Sequence, residues 1–160
     1  MASVVGGLLG QLKPFGRRGL FAASKARLGK AKLGQTVLRG ASKRAYSFEV
    51  YRREAAASLW EVGAVYGYAR QVTAEEPSAT GRDAAGAGFA IGYVGRTGNM
   101  ASQDAEHERL GHFVGHAFDA LLILRVEEEA IRRDLEQDLI ALYDPALNEL
   151  LRGYQGAEAS

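Results

Sequence analysis

The second half of this 160-residue chain carries tyrosine, glutamate and asparagine side chains in an order that could cut a phosphodiester bond. Tyr93-Val94-Gly95-Arg96-Thr97 is followed by a helical tract that carries Glu136 and closes on Pro145-Ala146-Leu147-Asn148. Phosphodiester hydrolysis needs an activated water, charge stabilisation on the phosphate and help for the leaving oxygen. A helix carboxylate can hold the hard divalent ion that serves these steps. The pattern therefore predicts a metal site at Glu136 beside a tyrosine-bearing hairpin.

The elements that must position these residues follow from hydrophobic spacing and turn signals. Trp60, Val62, Val65, Tyr66 and Tyr68 favour a strand within residues 60–72, with a single helix over 48–71 as the alternative. The other predicted elements are a helix over 48–59, a loop over 73–88, a strand at 89–96, a helix from Asn99 or Ser102 to 116, a strand over 118–126 and a helix from Glu127 to Pro145. This order predicts an α/β (α+β) fold, a small three-stranded mixed or antiparallel sheet flanked by helices.

Over residues 60–150 the chain resembles the GIY-YIG nuclease family. Tyr93-Val94-Gly95 is similar to the second signature, and Ala64-Val65-Tyr66 stands where Gly-Ile-Tyr would be, after a displaced Gly63. Glu136 is similar to the family's metal-binding glutamate, and Asn148 follows it at the spacing of the family's late asparagine. That spacing is the most specific part of the resemblance.

The family also places an arginine, and one helical turn later a histidine, on the helix after the second signature. Arg109 and His112 are the matching candidates, although they lie later than usual and one residue closer together. In the roles that the resemblance implies, Arg109 contacts the phosphate, His112 assists proton transfer, Tyr66 orients or deprotonates the attacking water, and Tyr93 supports Tyr66 through a hydrogen bond.

The resemblance thus implies a metal-dependent endonuclease that acts on DNA with Mg²⁺ or Mn²⁺. The expected site comprises catalytic Tyr66, Tyr93, Arg109, His112 and Glu136, with Glu136 as the metal ligand, and substrate-binding Arg96 and Asn148. A rival interpretation is a catalytically degenerate nucleic-acid-binding or scaffold module of the same fold. A third is a nuclease toxin domain that acts on a competitor cell.

Each residue also has an ordinary structural interpretation. Glu136 could be a surface partner of Arg132. Arg109 could pair with Glu106 or Glu108, and the tyrosines could be half-buried strand residues. His107-Glu108-Arg109-Leu110-Gly111-His112 is one residue too long for a zinc-protease helix, so its histidines are not predicted to share a metal.

Charge divides the chain into two parts. Residues 1–45 hold ten of the 20 basic residues and no acidic one, so they carry +10 against −9 for the rest. This predicts a basic, flexible arm or leader over 1–47 and a nuclease domain over 48–160. The arm is interpreted as a solvated tail, a nucleic-acid arm, a toxin linker or a mitochondrial transit peptide ending near Arg44-Ala45-Tyr46-Ser47.

Composition excludes other classes of site and leaves the compartment open. The chain has no cysteine, which rules out disulfides, thiolate metal sites and cysteine nucleophiles. No apolar run approaches the length of a membrane span. The expected location is the cytoplasm, with mitochondrial import or delivery as a secreted toxin as the alternatives.

Overall fold

The computed structural model describes residues 28–59, 62–72, 88–149 and 151 of the chain. Its elements are the strands β1 (Lys32–Arg39), β2 (Ala45–Arg52), β3 (Ala64–Gln71), β4 (Phe89–Thr97) and β5 (Ala120–Arg125), a 3-10 helix (Arg53–Ser58), and the helices α1 (Met100–Leu110) and α2 (Glu129–Tyr143).

The strands form one antiparallel sheet of five strands in the order β1-β2-β5-β3-β4. With its helices the sheet makes an α+β fold. The predicted three-stranded sheet is wrong, because the N-terminal part of the chain supplies two further strands. β3 lies between β5 and β4, and β4 is an edge strand.

β1 lies within the segment that was predicted to be a basic arm. Thr36 and Leu38 are buried whereas the other residues of β1 are exposed, the period-two pattern of a strand with one buried face. Its basic side chains occupy exposed positions, and Lys32 forms an ion pair with Glu49 of β2. The strands β1 and β2 and the turn between them therefore remove residues 32–47 from the predicted arm, and residues 1–27 lie outside the described residues.

The helix predicted over 48–59 is wrong in its first part. Residues 48–52 belong to β2, in which Phe48 and Val50 are buried on one face, and a 3-10 helix follows at Arg53–Ser58. The helical propensity of the alanine run is expressed only after the strand ends, because packing against the sheet overrides local preference.

Both faces of the sheet are covered. One face packs against the 3-10 helix and α1, and its buried side chains include Tyr51, Tyr66, Tyr68, Leu121 and Ile123. The other face packs against Leu139 of α2, and its buried side chains include Phe48, Val65, Val94 and Leu122. Alternate residues of β3 and β5 thus serve two cores, which explains why these strands carry no charged residue over their buried stretches, 64–69 and 120–123.

The ends of α1 follow from local chemistry. Asn99 caps the helix as predicted, since its side-chain oxygen accepts a hydrogen bond from the Ser102 N–H at 3.2 Å. The helix ends at Leu110, before the predicted end at residue 116. Gly111 adopts a φ of 66° and ends the helix, because this left-handed conformation favours glycine.

The hairpin that joins β3 to β4 is closed by a hydrogen bond of 2.7 Å from the Val72 N–H to the Gly88 carbonyl. The predicted loop over 73–88 lies outside the described residues, except for Gly88. Among the helices that the structure describes, none has the length and apolar character of a membrane span.

Candidate functional site

The two tyrosines of the predicted site lie on neighbouring strands and on the same face of the sheet. In the register of β3 and β4, Tyr66 is opposite Gly95, whereas Tyr93 is opposite Tyr68. Tyr66 and Tyr93 are therefore diagonal neighbours, with ring centroids 6.0 Å apart. Tyr66 is buried and Tyr93 is half-buried.

Gly95 provides the space for this pair. A Cβ atom at position 95 would lie 2.7 Å from the Tyr66 hydroxyl oxygen and 2.8 Å from Cε1 of Tyr93. No real Cβ atom approaches other atoms so closely, so the hydroxyl of Tyr66 lies over Gly95 only because this residue has no side chain. The glycine of Tyr93-Val94-Gly95 is thus explained by packing within the site.

His107 is the histidine that contacts Tyr66. Its Nε2 lies 2.9 Å from the Tyr66 hydroxyl, and its ring meets that of Tyr93 edge to face at 5.2 Å. The side chain is buried. Burial, together with the charges of His112 and Arg53, lowers the pKa of His107 to about 4, so the ring is neutral at physiological pH.

His112, the histidine predicted for this role, lies one step further from Tyr66. It is half-buried, and its Nδ1 is 2.9 Å from the Nδ1 of His107. His112 therefore reaches the tyrosines through His107. The side chain one turn before His107 is Gln103, whose Nε2 lies 3.4 Å from the Nε2 of His107.

The tyrosine hydroxyls remain protonated at neutral pH. Burial raises the pKa of Tyr66 well above its ordinary value, and the charges of Tyr93, Tyr68 and Glu136 act in the same direction. Burial also raises the pKa of Tyr93, again with a contribution from Glu136. Glu136 is the smallest of the named contributions in both cases, and α2 packs on the face of the sheet opposite to the one that carries the tyrosines.

Glu136 is half-buried and forms an ion pair with Arg96 of β4. Arg96 donates from Nε to Oε2 of Glu136 at 2.8 Å, and from its NH1 nitrogen to Glu129. The arginine that was predicted to bind substrate is thus held between two carboxylates of α2. It remains about one-third exposed, which leaves it accessible to an anion.

Asn148 contacts the backbone of the edge strand β4. Its side-chain oxygen accepts from the Val94 N–H at 2.8 Å, and its Nδ2 donates to the Val94 carbonyl at 2.6 Å. Asn148 is buried, and both ends of its carboxamide are used. It therefore holds the segment after α2 against β4 rather than presenting a group to a substrate.

Arg109 does not join the cluster. Its guanidinium is 66% exposed and pairs with Glu106 on the same helix. Residues two apart on a helix project in nearly opposite directions, so Arg109 points away from the face that carries His107. The ordinary interpretation of Arg109, a surface ion pair, describes its contacts.

A second polar group adjoins the tyrosines. The Tyr68 hydroxyl donates to Asp104, which forms an ion pair of 2.8 Å with Arg53. The Arg53 guanidinium lies 4.5 Å from the centre of the Tyr68 ring. Asp104 and His107 are both buried on α1, and sequence reasoning missed them as site residues.

A signal for these two residues exists in the sequence. The buried residues of α1 are Met100, Ala101, Asp104 and His107, which recur at the spacing of one helix face. An aspartate and a histidine on an otherwise apolar face indicate buried polar contacts. His107 was not predicted because the expected arginine and histidine pair was assigned to Arg109 and His112.

The donor set for a metal ion is small. Among the residues that the structure describes, no three His, Asp or Glu side chains form a group that could hold one. Glu136 offers a single partly exposed carboxylate. That donor fits Mg²⁺ or Mn²⁺, because Mg²⁺ retains several waters and binds through one or two carboxylates together with substrate phosphates.

Comparison of the chain with protein-family models, curated proteins and solved structures found no match. The interpretation of the site therefore rests on its geometry and on the resemblance drawn from its residues.

Proposed function

We propose that the protein is a metal-dependent endonuclease that hydrolyses phosphodiester bonds in DNA, with a GIY-YIG-like unit formed by β3, β4, α1, β5 and α2. One observation carries the proposal. The Tyr66 hydroxyl contacts His107 above Gly95, and Arg96, the next residue of β4, holds the carboxylate of Glu136. Tyrosine and histidine side chains that can pass a proton, together with a carboxylate held at the same edge strand β4, suit the hydrolysis of a phosphodiester.

Tyr66 and His107 would carry the proton away from the attacking water. Because the pKa of Tyr66 is raised, this side chain cannot act as a phenolate and must pass on its own proton when it takes one from water. The Nε2 of His107 is in position to receive that proton. The water oxygen then bonds to phosphorus, the bond to the leaving oxygen breaks, and that oxygen takes a proton from solvent.

Glu136 would hold the metal ion, and Mg²⁺ or Mn²⁺ supplies neutralisation of the phosphate charge when it is bound. Arg96, beside Glu136, would bind the phosphate through its planar set of donors. To do so it must leave at least one of its carboxylate partners. Asn148 supports the site by fixing the edge of β4.

A second candidate function is a non-catalytic nucleic-acid-binding module of the same fold. Two observations favour it. The position one turn before His107 is occupied by Gln103 where the family has an arginine, and Glu136 is engaged by Arg96. A binding module needs neither a free carboxylate nor an arginine at that position. The toxin alternative shares the chemistry of the nuclease and differs only in its target cell.

A plasmid-nicking assay with Mg²⁺ tests the proposal. We expect the wild type to convert supercoiled DNA to the open circle, and Glu136→Gln to lose at least about 100-fold in rate. Asp134→Asn is the matched control, since it neutralises an exposed carboxylate on the same helix. Equal rates for Glu136→Gln and the wild type would refute the site. Binding of DNA without cutting would support the second candidate.

A further inference from the structure

His107 and His112 meet through the same atom of each ring, with their Nδ1 nitrogens 2.9 Å apart. A neutral imidazole carries one N–H, so this contact is a hydrogen bond only if exactly one of the two Nδ1 atoms is protonated. The tautomers of the two histidines are therefore coupled.

The coupling extends to Tyr66 through the other nitrogen of His107. If the Nδ1 of His112 accepts, His107 carries its proton on Nδ1, and its bare Nε2 accepts from the Tyr66 hydroxyl. If the Nδ1 of His112 donates, His107 carries its proton on Nε2 and donates to the Tyr66 oxygen. The contact of 2.9 Å between His107 and Tyr66 suits either direction.

His112 is the more exposed member of the pair. It is half-buried, whereas His107 is buried and has a pKa of about 4. A cationic His112 has a proton on both nitrogens and can only donate to His107. The titratable and charged groups around the pair are Tyr66, Tyr68 and Tyr93 from the strands, Arg53 from the 3-10 helix, and Asp104 and Glu106 from α1.

We propose that His112 is a positioning residue that sets the tautomer of His107, so that protonation of His112 reverses the hydrogen bond between His107 and Tyr66. This inference rests on the proposed function for its effect on catalysis. It adds to that function a group that acts through His107 without contacting the substrate. The arrangement is that of a base oriented by a third group.

The direction of the hydrogen bond between His107 and Tyr66 decides whether Tyr66 can pass its proton to His107. With His112 as acceptor, a water proton moves to the Tyr66 oxygen while the Tyr66 proton moves to the Nε2 of His107. His107 then becomes an imidazolium whose Nδ1–H remains bonded to His112. With His112 as donor, the Nε2 of His107 already carries a proton, and Tyr66 has no acceptor there.

Nitrogen NMR of the full, ¹⁵N-labelled chain tests the coupling without any cutting. Spectra are recorded over the range of about pH 5–8, and we expect His107 to carry its proton on Nδ1 where they show a neutral His112 and on Nε2 where they show a protonated one. In His112→Asp a carboxylate oxygen can stand near the position of Nδ1 and can only accept. His107 should then stay protonated on Nδ1 throughout that range. A tautomer that follows neither His112 protonation nor this substitution overturns the proposal.

The pH profile of plasmid nicking gives the second readout. The wild-type rate should fall at least tenfold as His112 is protonated, and His112→Asp should remove this fall. His116→Asp is the matched control, because His116 is exposed and stacks on Phe118. It should keep the wild-type profile. If the nicking rate of His112→Asp falls at low pH as that of the wild type does, the role of His112 is refuted and the proposed nuclease activity is not. A wild type that switches tautomer but never cuts refutes the nuclease alone.

Discussion

Gly95 determines whether Tyr66 can reach the edge of the sheet. It lies directly opposite Tyr66 in the register of β3 and β4, and the hydroxyl of Tyr66 occupies the space where a side chain at position 95 would begin. The strand would accept another residue at this point on backbone grounds, because the φ angle of Gly95 is not among the positive ones. The requirement for glycine therefore comes from the site.

Gly95→Ala should lower the free energy of unfolding by about 1–3 kcal/mol, because the added methyl group must displace the ring of Tyr66 or that of Tyr93. Urea unfolding monitored by circular dichroism measures this loss. Gly98→Ala is the control, since no atom lies within 4 Å of a Cβ built there. Equal losses for the two variants would contradict the packing role of Gly95.

The pKa of His107 makes stability depend on pH. The pKa of this group is lowered from 6.5 to about 4 in the folded protein, so between these values the unfolded chain binds the proton more strongly. The free energy of unfolding that is linked to a neutral His107 is fully present above pH 6.5 and is lost as the pH falls towards 4. We expect His107 to contribute roughly 2–3 kcal/mol to this loss.

Urea unfolding of the wild type and of His107→Gln at pH 7 and at pH 4.5 checks this linkage. The difference in unfolding free energy between the two pH values should be smaller in His107→Gln, because glutamine does not titrate. The same difference in both proteins would contradict a neutral, buried His107.

At the scale of elements, α1 carries the buried half of the site on one face and Arg109 on another. The sequence predicted a helix capped by Asn99 or Ser102, and Asn99 is the cap. This end of the helix was predictable because side-chain capping is local chemistry. The sequence predicted His112 and Arg109 as the site pair because those residues were close to a familiar spacing. Which histidine reaches Tyr66 depends on how α1 lies across the sheet. Met100, the first residue of α1, is buried in the core with Tyr66, and this long-range packing has no local signature.

The edge of β4 is closed by Asn148, whose carboxamide pairs with Val94 in the manner of a backbone peptide group. Asn148→Ala should lower the free energy of unfolding by about 1–3 kcal/mol, because it leaves the buried N–H and carbonyl of Val94 without these partners. Thermal unfolding measures the loss. Glu149→Ala, at an exposed neighbouring position, is the control.

An exposed edge strand also pairs with other chains. Asn148→Ala should therefore form more dimers or aggregates on size-exclusion chromatography than Glu149→Ala. Stability and oligomeric state equal to those of the control would assign Asn148 to substrate binding, as the sequence first suggested.

At the scale of the whole molecule, the N-terminal half of the sheet was the part least predictable from sequence. Residues 1–45 hold ten basic residues and many glycines, a composition typical of an arm, and only Thr36 and Leu38 of β1 are buried. A strand with so few buried residues is stabilised by its partner β2, which is a long-range effect that no local window contains. By contrast, β3, β4, β5 and α2 were predictable because each has a strong apolar pattern of its own.

Because β1 is part of the sheet, removing residues 1–45 would affect folding as well as DNA binding. If residues 1–45 were only a nucleic-acid arm, their removal would weaken DNA binding and leave the metal site intact. It would also remove β1 and uncover β2, which includes the buried residues Phe48 and Val50. We expect this truncation to unfold at lower urea concentration than the full chain or to aggregate.

Circular dichroism and light scattering of the truncated and full chains measure this effect. A truncated chain with full stability would contradict the assignment of β1 to the folded unit. The contribution of basic residues to DNA binding is better measured by neutralising exposed side chains singly, with Arg44→Gln as one example.

The central claim is that Tyr66, held over Gly95 and bonded to His107, takes part in phosphodiester cleavage. The single-turnover cleavage rate of Tyr66→Phe tests it most directly, with Tyr143→Phe, a half-buried tyrosine at the end of α2, as the control. We predict that Tyr66→Phe cuts DNA at least about 100-fold more slowly than the wild type while Tyr143→Phe cuts normally. Cleavage by Tyr66→Phe at the wild-type rate, or a wild type that does not cleave, would contradict the account.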